Sequence, residues 1–164
     1  MYLKDYFSNL KKKYYNYSFS GIASQSSKIK KNFIFFAIKG NKYDGHDFIG
    51  EAIKNGAKII IHEKRFTGIE NKILFINSKN IRKLLAEVSF KINPKIPKNL
   101  IAVTGTNGKS SISDFYYQIL KLNKIKVASI GTLGIKKNNS IKILANTTMD
   151  PIKLNIELKK LKNQ

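Results

Sequence analysis

Cysteine and tryptophan are missing from this 164-residue chain, and arginine is nearly so, with Arg65 and Arg82 its only representatives. Without a thiol there is neither a disulfide framework nor a thiolate metal site, and two separated histidines, His46 and His62, do not make a zinc centre by themselves. Any metal must therefore be held by oxygen. Acids are also scarce: ten Asp and Glu stand against 31 Lys and Arg, for a formal net charge of +21. Such an excess raises nucleic acid and anionic membranes as partners. The shortage of arginine removes the planar fork that reads guanine or clamps phosphate bidentately. The lysines, moreover, are scattered from end to end among Ile, Asn, Phe and Tyr rather than gathered into a patch. The charge is thus read as a solvated lysine surface with no specific nucleic-acid partner; ligand-independent, strongly salt-dependent binding to RNA or DNA would mark the opposite case. Long apolar runs are lacking too. Nothing approaches the roughly 20 residues of a membrane span, and the opening MYLKDYFSNLKKKYYNYSF has no uninterrupted signal-peptide core. No membrane insertion and a cytoplasmic location are the expectations.

What is present, 42% hydrophobic residues, can furnish real cores. NFIFFAIKG (32–40) is a β-branched and aromatic run stopped by glycine, the pattern of a buried strand. DFIGEAIKNGAKIIIHE then sets Phe48, Ile49, Ala52 and Ile53 at helical spacing, ends that helix at Asn55-Gly56, and continues as a strand from Ala57 to His62. Strand, helix, strand predicts a parallel pair. KILFINS predicts a further strand, and Asn80 to Phe90 a helix with Ile81, Leu84, Leu85 and Val88 on one face. A first α/β domain over 1–90 follows. Two prolines in KINPKIPKN predict an extended linker over 91–99. Beyond it, over 100–164, NLIAVTG reads as a strand, Ile112, Phe115, Tyr116, Ile119 and Leu120 mark an amphipathic helix, and IKVASIGT reads as the next strand. A hairpin pairing 132–135 with 141–144 and a final helix from Pro151, capped by Thr148 or Asp150, complete the expectation.

The stretch IAVTGTNGKSS (101–111) therefore falls at a strand-to-helix turn inside an expected βαβ unit. Gly105 and Gly108 let the backbone turn its N–H groups inward, and the following helix adds its partial positive end, so polyphosphate is the natural guest. Lys109 would contact the terminal phosphates, and the Ser110 hydroxyl could ligate Mg²⁺. The spacing G-x-x-G-K-S is shorter than G-x-x-x-x-G-K-[ST], because Val103 stands where the longer pattern has glycine. Tyr14, Tyr15 and Tyr17 with Phe19 are read as packing residues rather than a base-stacking platform, and His62 as structural.

TGTNGKSS resembles the ATP loop of the Mur ligase family, which has this compressed spacing. IGTLG (130–134) and NTTMDPIKL (146–154) are similar to the GT-x-G and N-T-T-P-D segments of the family member that adds the third amino acid to UDP-N-acetylmuramoyl-L-alanyl-D-glutamate. SQSSKIKKNFIFFAIKGNKYDGHDFIGEAIKNGA resembles its uridine-nucleotide-binding domain. The pattern is altered in places. Gln25, Ser27 and Asn32 replace aspartate, arginine and glycine, leaving Ser26 of the D-S-R triplet, and Met149 replaces proline.

The resemblance implies a small amino-terminal α/β uridine-nucleotide-binding domain followed by the start of a P-loop-type α/β ATP-binding domain, truncated. It implies ATP held by Gly105, Thr106, Asn107, Gly108, Lys109, Ser110 and Ser111, and Mg²⁺ on Ser110. The UDP-sugar dipeptide would be contacted by Ser26, His46, Asn146, Thr147 and Thr148. The implied activity is ATP-driven amide formation through an acyl phosphate in peptidoglycan precursor synthesis, by a monomer if full length. No catalytic residue is assigned within the chain. Its acids after the linker are Asp114, Asp150 and Glu157, and the family's metal-binding glutamate, modified lysine and amino-acid-binding domain would fall beyond Gln164. The chain is accordingly expected to be an amino-terminal portion of a longer ligase, inactive alone. A non-catalytic UDP-sugar or ATP-binding module, and the related ligase that adds the terminal dipeptide, are the alternatives.

Overall fold

The structure is a computed structural model that describes residues 1–138, 140–143 and 149–163. It divides into two compact units, 1–94 and 95–164, with the boundary inside the proline-containing stretch. Each is described by itself.

In the first unit a five-stranded sheet has the order β1-β2-β3-β5-β4, formed by β1 (Gly21–Ala23), β2 (Phe33–Phe36), β3 (Ala57–His62), β4 (Gly68–Glu70) and β5 (Ile73–Asn77). β1, β2, β3 and β5 run parallel, and β4 closes the edge antiparallel to β5. The strand-helix-strand expectation holds, with α1 (Ile49–Lys54) crossing between the parallel β2 and β3. Both strands are almost continuously apolar because both faces of a parallel sheet are covered. Phe35, Ile60 and Phe75 lie in register on one face, and Ile34, Ile59 and Leu74 on the other. The first face forms a core in which Ala23, Ile29, Phe35, Ala52, Ala57 and Ile60 are buried, with Ile49 and Ile53 of α1 packed against it. Gly56 ends the α1 turn at φ +109°, where a Cβ would lie 2.9 Å from the Lys31 Cα, so glycine answers here to both conformation and space. α2 (Ile81–Ile92) is capped by Asn80, whose side chain accepts from the Lys83 N–H, and buries Ile81, Leu85 and Val88. Leu3, Tyr14 and Phe19 are buried as well, while Tyr15 and Tyr17 are half-buried.

The second unit comprises α3 (Lys109–Leu122), β6 (Ala128–Gly131), β7 (Gly134–Lys137), β8 (Ser140–Lys142) and α4 (Pro151–Lys162). Its sheet is the antiparallel meander β6-β7-β8. Two expectations are corrected here. Residues 101–104 form no strand, and β6 pairs antiparallel with β7, so the described residues of this second unit contain no parallel βαβ unit. A two-residue turn closes the β6–β7 pair locally, whereas a parallel pairing would have to close a far longer crossover for weaker, slanted hydrogen bonds. The helix at 109–122 forms as its periodicity predicts, but Ile112, Phe115, Tyr116 and Ile119 remain exposed, and Tyr117 is the buried side chain. Periodicity defines an apolar face without supplying a surface to cover it. The predicted hairpin is seen as β7 with β8, displaced by a few residues; Leu144 lies outside the described residues. Asp150 accepts the Ile152 N–H at 2.7 Å and caps α4, with Pro151 in the first turn. No helix among the described residues is long and apolar enough to cross a membrane.

Candidate functional site

Gly105 and Gly108 carry φ of +147° and +75°, values that L side chains resist. They curl the loop onto the first turn of α3, where Gly108 is the N-terminal flanking residue and contributes no side-chain cap. The leading N–H groups of this 14-residue helix are thus left without a capping side chain, at its partially positive end. Thr106, Asn107, Lys109, Ser110 and Ser111 are all exposed. The Lys109 ammonium donates to the carbonyl oxygens of Gly105 and Thr106, which holds its charge over the loop.

A second wall faces this turn. Thr132, in the β6–β7 turn, places its Oγ1 2.9 Å from the Ser110 Oγ. Lys136 on β7 is ion-paired with Asp114 on α3, and the other Asp114 oxygen accepts from the Gln118 Nε2 at 2.7 Å. The Lys136 hydrogen bond, seconded by Gln118, holds the Asp114 carboxyl below its usual range against a smaller opposing effect of burial. Gly134 opens β7 at φ +98°, where a Cβ would sit 2.3 Å from the Lys142 carbonyl oxygen, so the hairpin that presents Thr132 depends on this glycine. Lys109, Ser110, Asp114, Thr132 and Lys136 line one cavity of about 330 Å³, within the size range of small-molecule sites.

The Lys109 ammonium, uncapped helix N–H groups and neighbouring hydroxyls suit a polyphosphate, while Lys136 is taken up by Asp114. Mg²⁺ is a narrower fit. The described residues hold no group of three His, Cys, Asp or Glu able to bind a metal, and Asp114 is engaged by Lys136 and Gln118. Ser110 could serve as one hydroxyl ligand of a cation otherwise bound by phosphate oxygens and water. Thr132 stands in the GTLG segment that sequence comparison singles out, but its approach to Ser110 has no local signature. The Asp114–Lys136 pair, 22 residues apart, has none either.

The first unit places the sugar-nucleotide candidates differently. Ser26 is buried, and its hydroxyl donates to the Glu51 carboxylate at 2.9 Å while its carbonyl accepts from the Asn55 side chain. It ties a short 3-10 turn to α1. His46 follows the β2 end, its Nδ1 2.8 Å from the Asp44 carboxylate, which also accepts the His46 backbone N–H. That backbone bond first, then the ring, lowers the Asp44 pKa. Ser26 and His46 share no hydrogen bond or ion pair among the described residues, and Asn146, Thr147 and Thr148 lie outside them.

His62 is 3% exposed at the end of β3, its ring edge-on to Phe75 at 5.6 Å and to His46 at 6.4 Å between centroids. Burial lowers its pKa from the ordinary 6.5. The folded state therefore binds fewer protons than the unfolded one below that value, so the His62 contribution to stability is complete above about pH 6.5 and declines as pH falls through the interval beneath it. The thermal midpoint is expected to drop between pH 7.5 and 5.5, and to drop less in a His62→Phe variant. Equal slopes in the two proteins would remove His62 as the cause.

Comparison with known proteins bears on both units. Residues 18–102 match the model of the Mur ligase family, catalytic domain, and residues 103–164 that of the Mur ligase middle domain. A UDP-N-acetylmuramoyl-L-alanyl-D-glutamate–2,6-diaminopimelate ligase of Rickettsia typhi is 40% identical over 128 residues, covering 78% of this chain and 26% of that protein. A second ligase so named, from Clostridium acetobutylicum, is 37% identical over 146 residues, covering 85% of this chain and 30% of its own length. A solved structure of a ligase with this name superposes with a TM-score of 0.74 at 22% identity, over 99% of this chain and 33% of that one, a likeness of fold. The chain thus spans between a quarter and a third of the length of these relatives.

Proposed function

This chain belongs to the Mur ligase family, and from that premise we propose that it carries the ATP-binding loop and the sugar-nucleotide-binding domain of a ligase adding an amino acid to UDP-N-acetylmuramoyl-L-alanyl-D-glutamate. The observation that carries this reading is the Gly105–Ser111 loop, with positive φ at both glycines and Lys109 and Ser110 in the first turn of α3. Lys109 exchanges its loop carbonyls for the β- and γ-phosphates of ATP, and the N–H groups at the start of α3 hold phosphate oxygens. Mg²⁺, held by Ser110 and the phosphates, supplies further charge neutralisation when bound. In the reaction so assigned, the D-glutamyl carboxylate attacks the γ-phosphate and ADP leaves. The amine then attacks the acyl phosphate and inorganic phosphate departs. The amine named for the relatives is 2,6-diaminopimelate, the first to test.

Ser26 and His46 are assigned as sugar-nucleotide contacts, as by resemblance are Asn146, Thr147 and Thr148, which lie outside the described residues. The buried Ser26–Glu51 bond gives Ser26 a structural role alongside any substrate contact. A cytoplasmic location, a monomeric state if full length, no specific nucleic-acid partner and no membrane insertion complete the reading.

Calorimetric titration of the full 164-residue chain with Mg-ATP, and separately with the UDP-N-acetylmuramoyl dipeptide, tests it. Saturable binding of both at micromolar to millimolar concentration is expected. Binding of neither ligand would overturn the assignment; phosphate release is no part of the test, because no catalytic residue is assigned within this chain.

A further inference from the structure

We propose that Thr132 is a positioning residue that orients the Ser110 hydroxyl toward a divalent cation, and that the Asp114–Lys136 ion pair holds Thr132 in place. The proposal rests on the reading of Gly105–Ser111 as the ATP loop. Ser110 and Thr132 come from facing walls of the same cavity, the first turn of α3 and the β6–β7 turn, with their hydroxyl oxygens 2.9 Å apart. A serine hydroxyl has one proton and two lone pairs. With the proton donated to Thr132, rotation about the C–O bond is arrested and both lone pairs remain for a cation on the loop side. Without that acceptor the proton samples the direction a cation must occupy.

The hairpin is held against α3 by a second contact. Ser110, Asp114 and Gln118 follow one another at intervals of four along one face of α3. Ser110 meets Thr132, while Asp114 takes the Lys136 ammonium on one oxygen and the Gln118 amide on the other. Lys136 is two residues beyond Gly134, whose positive φ shapes the turn that carries Thr132. Loss of the ion pair therefore loosens the wall on which Thr132 sits, which the Tyr117 hydroxyl of α3 still holds through the Asn138 carbonyl at 2.6 Å.

The test is calorimetric titration of the full chain with ATP, once with Mg²⁺ and once with EDTA, alongside Thr132→Val, Thr132→Ser and Lys136→Met. Thr132→Val keeps the side-chain shape and removes the acceptor. It is expected to weaken ATP binding by about three- to tenfold in Mg²⁺, the range of one hydrogen bond, and to leave the affinity in EDTA unchanged. Thr132→Ser is expected to restore the Mg²⁺ value. Lys136→Met is expected to reproduce the Mg²⁺-selective loss in part, and it decides the matter if circular dichroism shows that Thr132→Val does not fold. Unchanged affinity, an equal loss with and without Mg²⁺, or no rescue by serine would overturn this role while leaving the ATP loop standing. Failure of the unaltered chain to bind ATP would overturn both.

Discussion

Substitution of Lys109 by methionine is expected to weaken ATP binding by the full chain about 10- to 100-fold, the equivalent of roughly 1.5–3 kcal/mol for hydrogen bonds to a charged group. The ammonium sits over the loop, bonded to the Gly105 and Thr106 carbonyls. It is therefore close to the place where phosphate would replace those acceptors, and little side-chain ordering remains to be done on binding. Methionine preserves the length and the apolar stem and removes only the charge and donors. Arginine is not a substitute, because its wider planar fork does not fit a position that lysine fills as a compact point charge. Isothermal titration of Lys109→Met and Lys109→Arg against the unaltered chain measures the effect. An affinity within twofold for the methionine variant would remove Lys109 from the phosphate site. Lys109 is exposed, so its substitution leaves the packed interior untouched, and unchanged circular dichroism checks the point.

The largest effect on stability is expected in the first unit. Phe35 is 1% exposed in β2, in register with Ile60 of β3 and Ala23 of β1, and lies in the core beneath α1. Phe35→Ala removes a ring from a close-packed interior that can only partly collapse, at a cost of about 3–5 kcal/mol. Domains have only about 5–15 kcal/mol in all, so much of the first unit's stability would go. Urea unfolding followed by circular dichroism should show the midpoint fall sharply. Ile69→Ala, on the edge strand β4 and 52% exposed, should stay within about 0.5 kcal/mol of the unaltered chain. A small change for Phe35→Ala would mean that this face of the sheet is not the core.

The contrast between those two positions shows where sequence is informative. β2, β3 and β5 are apolar runs bounded by turn residues, and α1 and α2 combine a periodic face with a local stop or cap, Gly56 for one and Asn80 for the other. Each signal lies within a few residues and needs no knowledge of the rest of the chain. β1 and β4 went unpredicted because three residues each, GIA and GIE, carry too little pattern to separate from loop; they are strands because a neighbour offers hydrogen-bond partners. The expected strand at 101–104 failed for the converse reason, since a β-branched stretch becomes a strand only when a partner is paired with it.

The candidate site divides in the same way. Glycines at 105 and 108 followed by Lys109 and Ser110 are a local arrangement, and the chemistry of a phosphate loop is written in consecutive residues. Composition alone confined metal chemistry to oxygen ligands. Tertiary structure alone decided that Ser110 meets Thr132, that Asp114 is occupied by Lys136 rather than left free for a cation, and that Ser26 spends its hydroxyl on Glu51. It also decided which face of α3 is covered. These are pairings across 22 to 25 residues, selected by the geometry of the folded chain among many chemically equivalent partners. In a chain with so many lysines, residue type cannot say which lysine meets which acid; only packing brings one of them within reach.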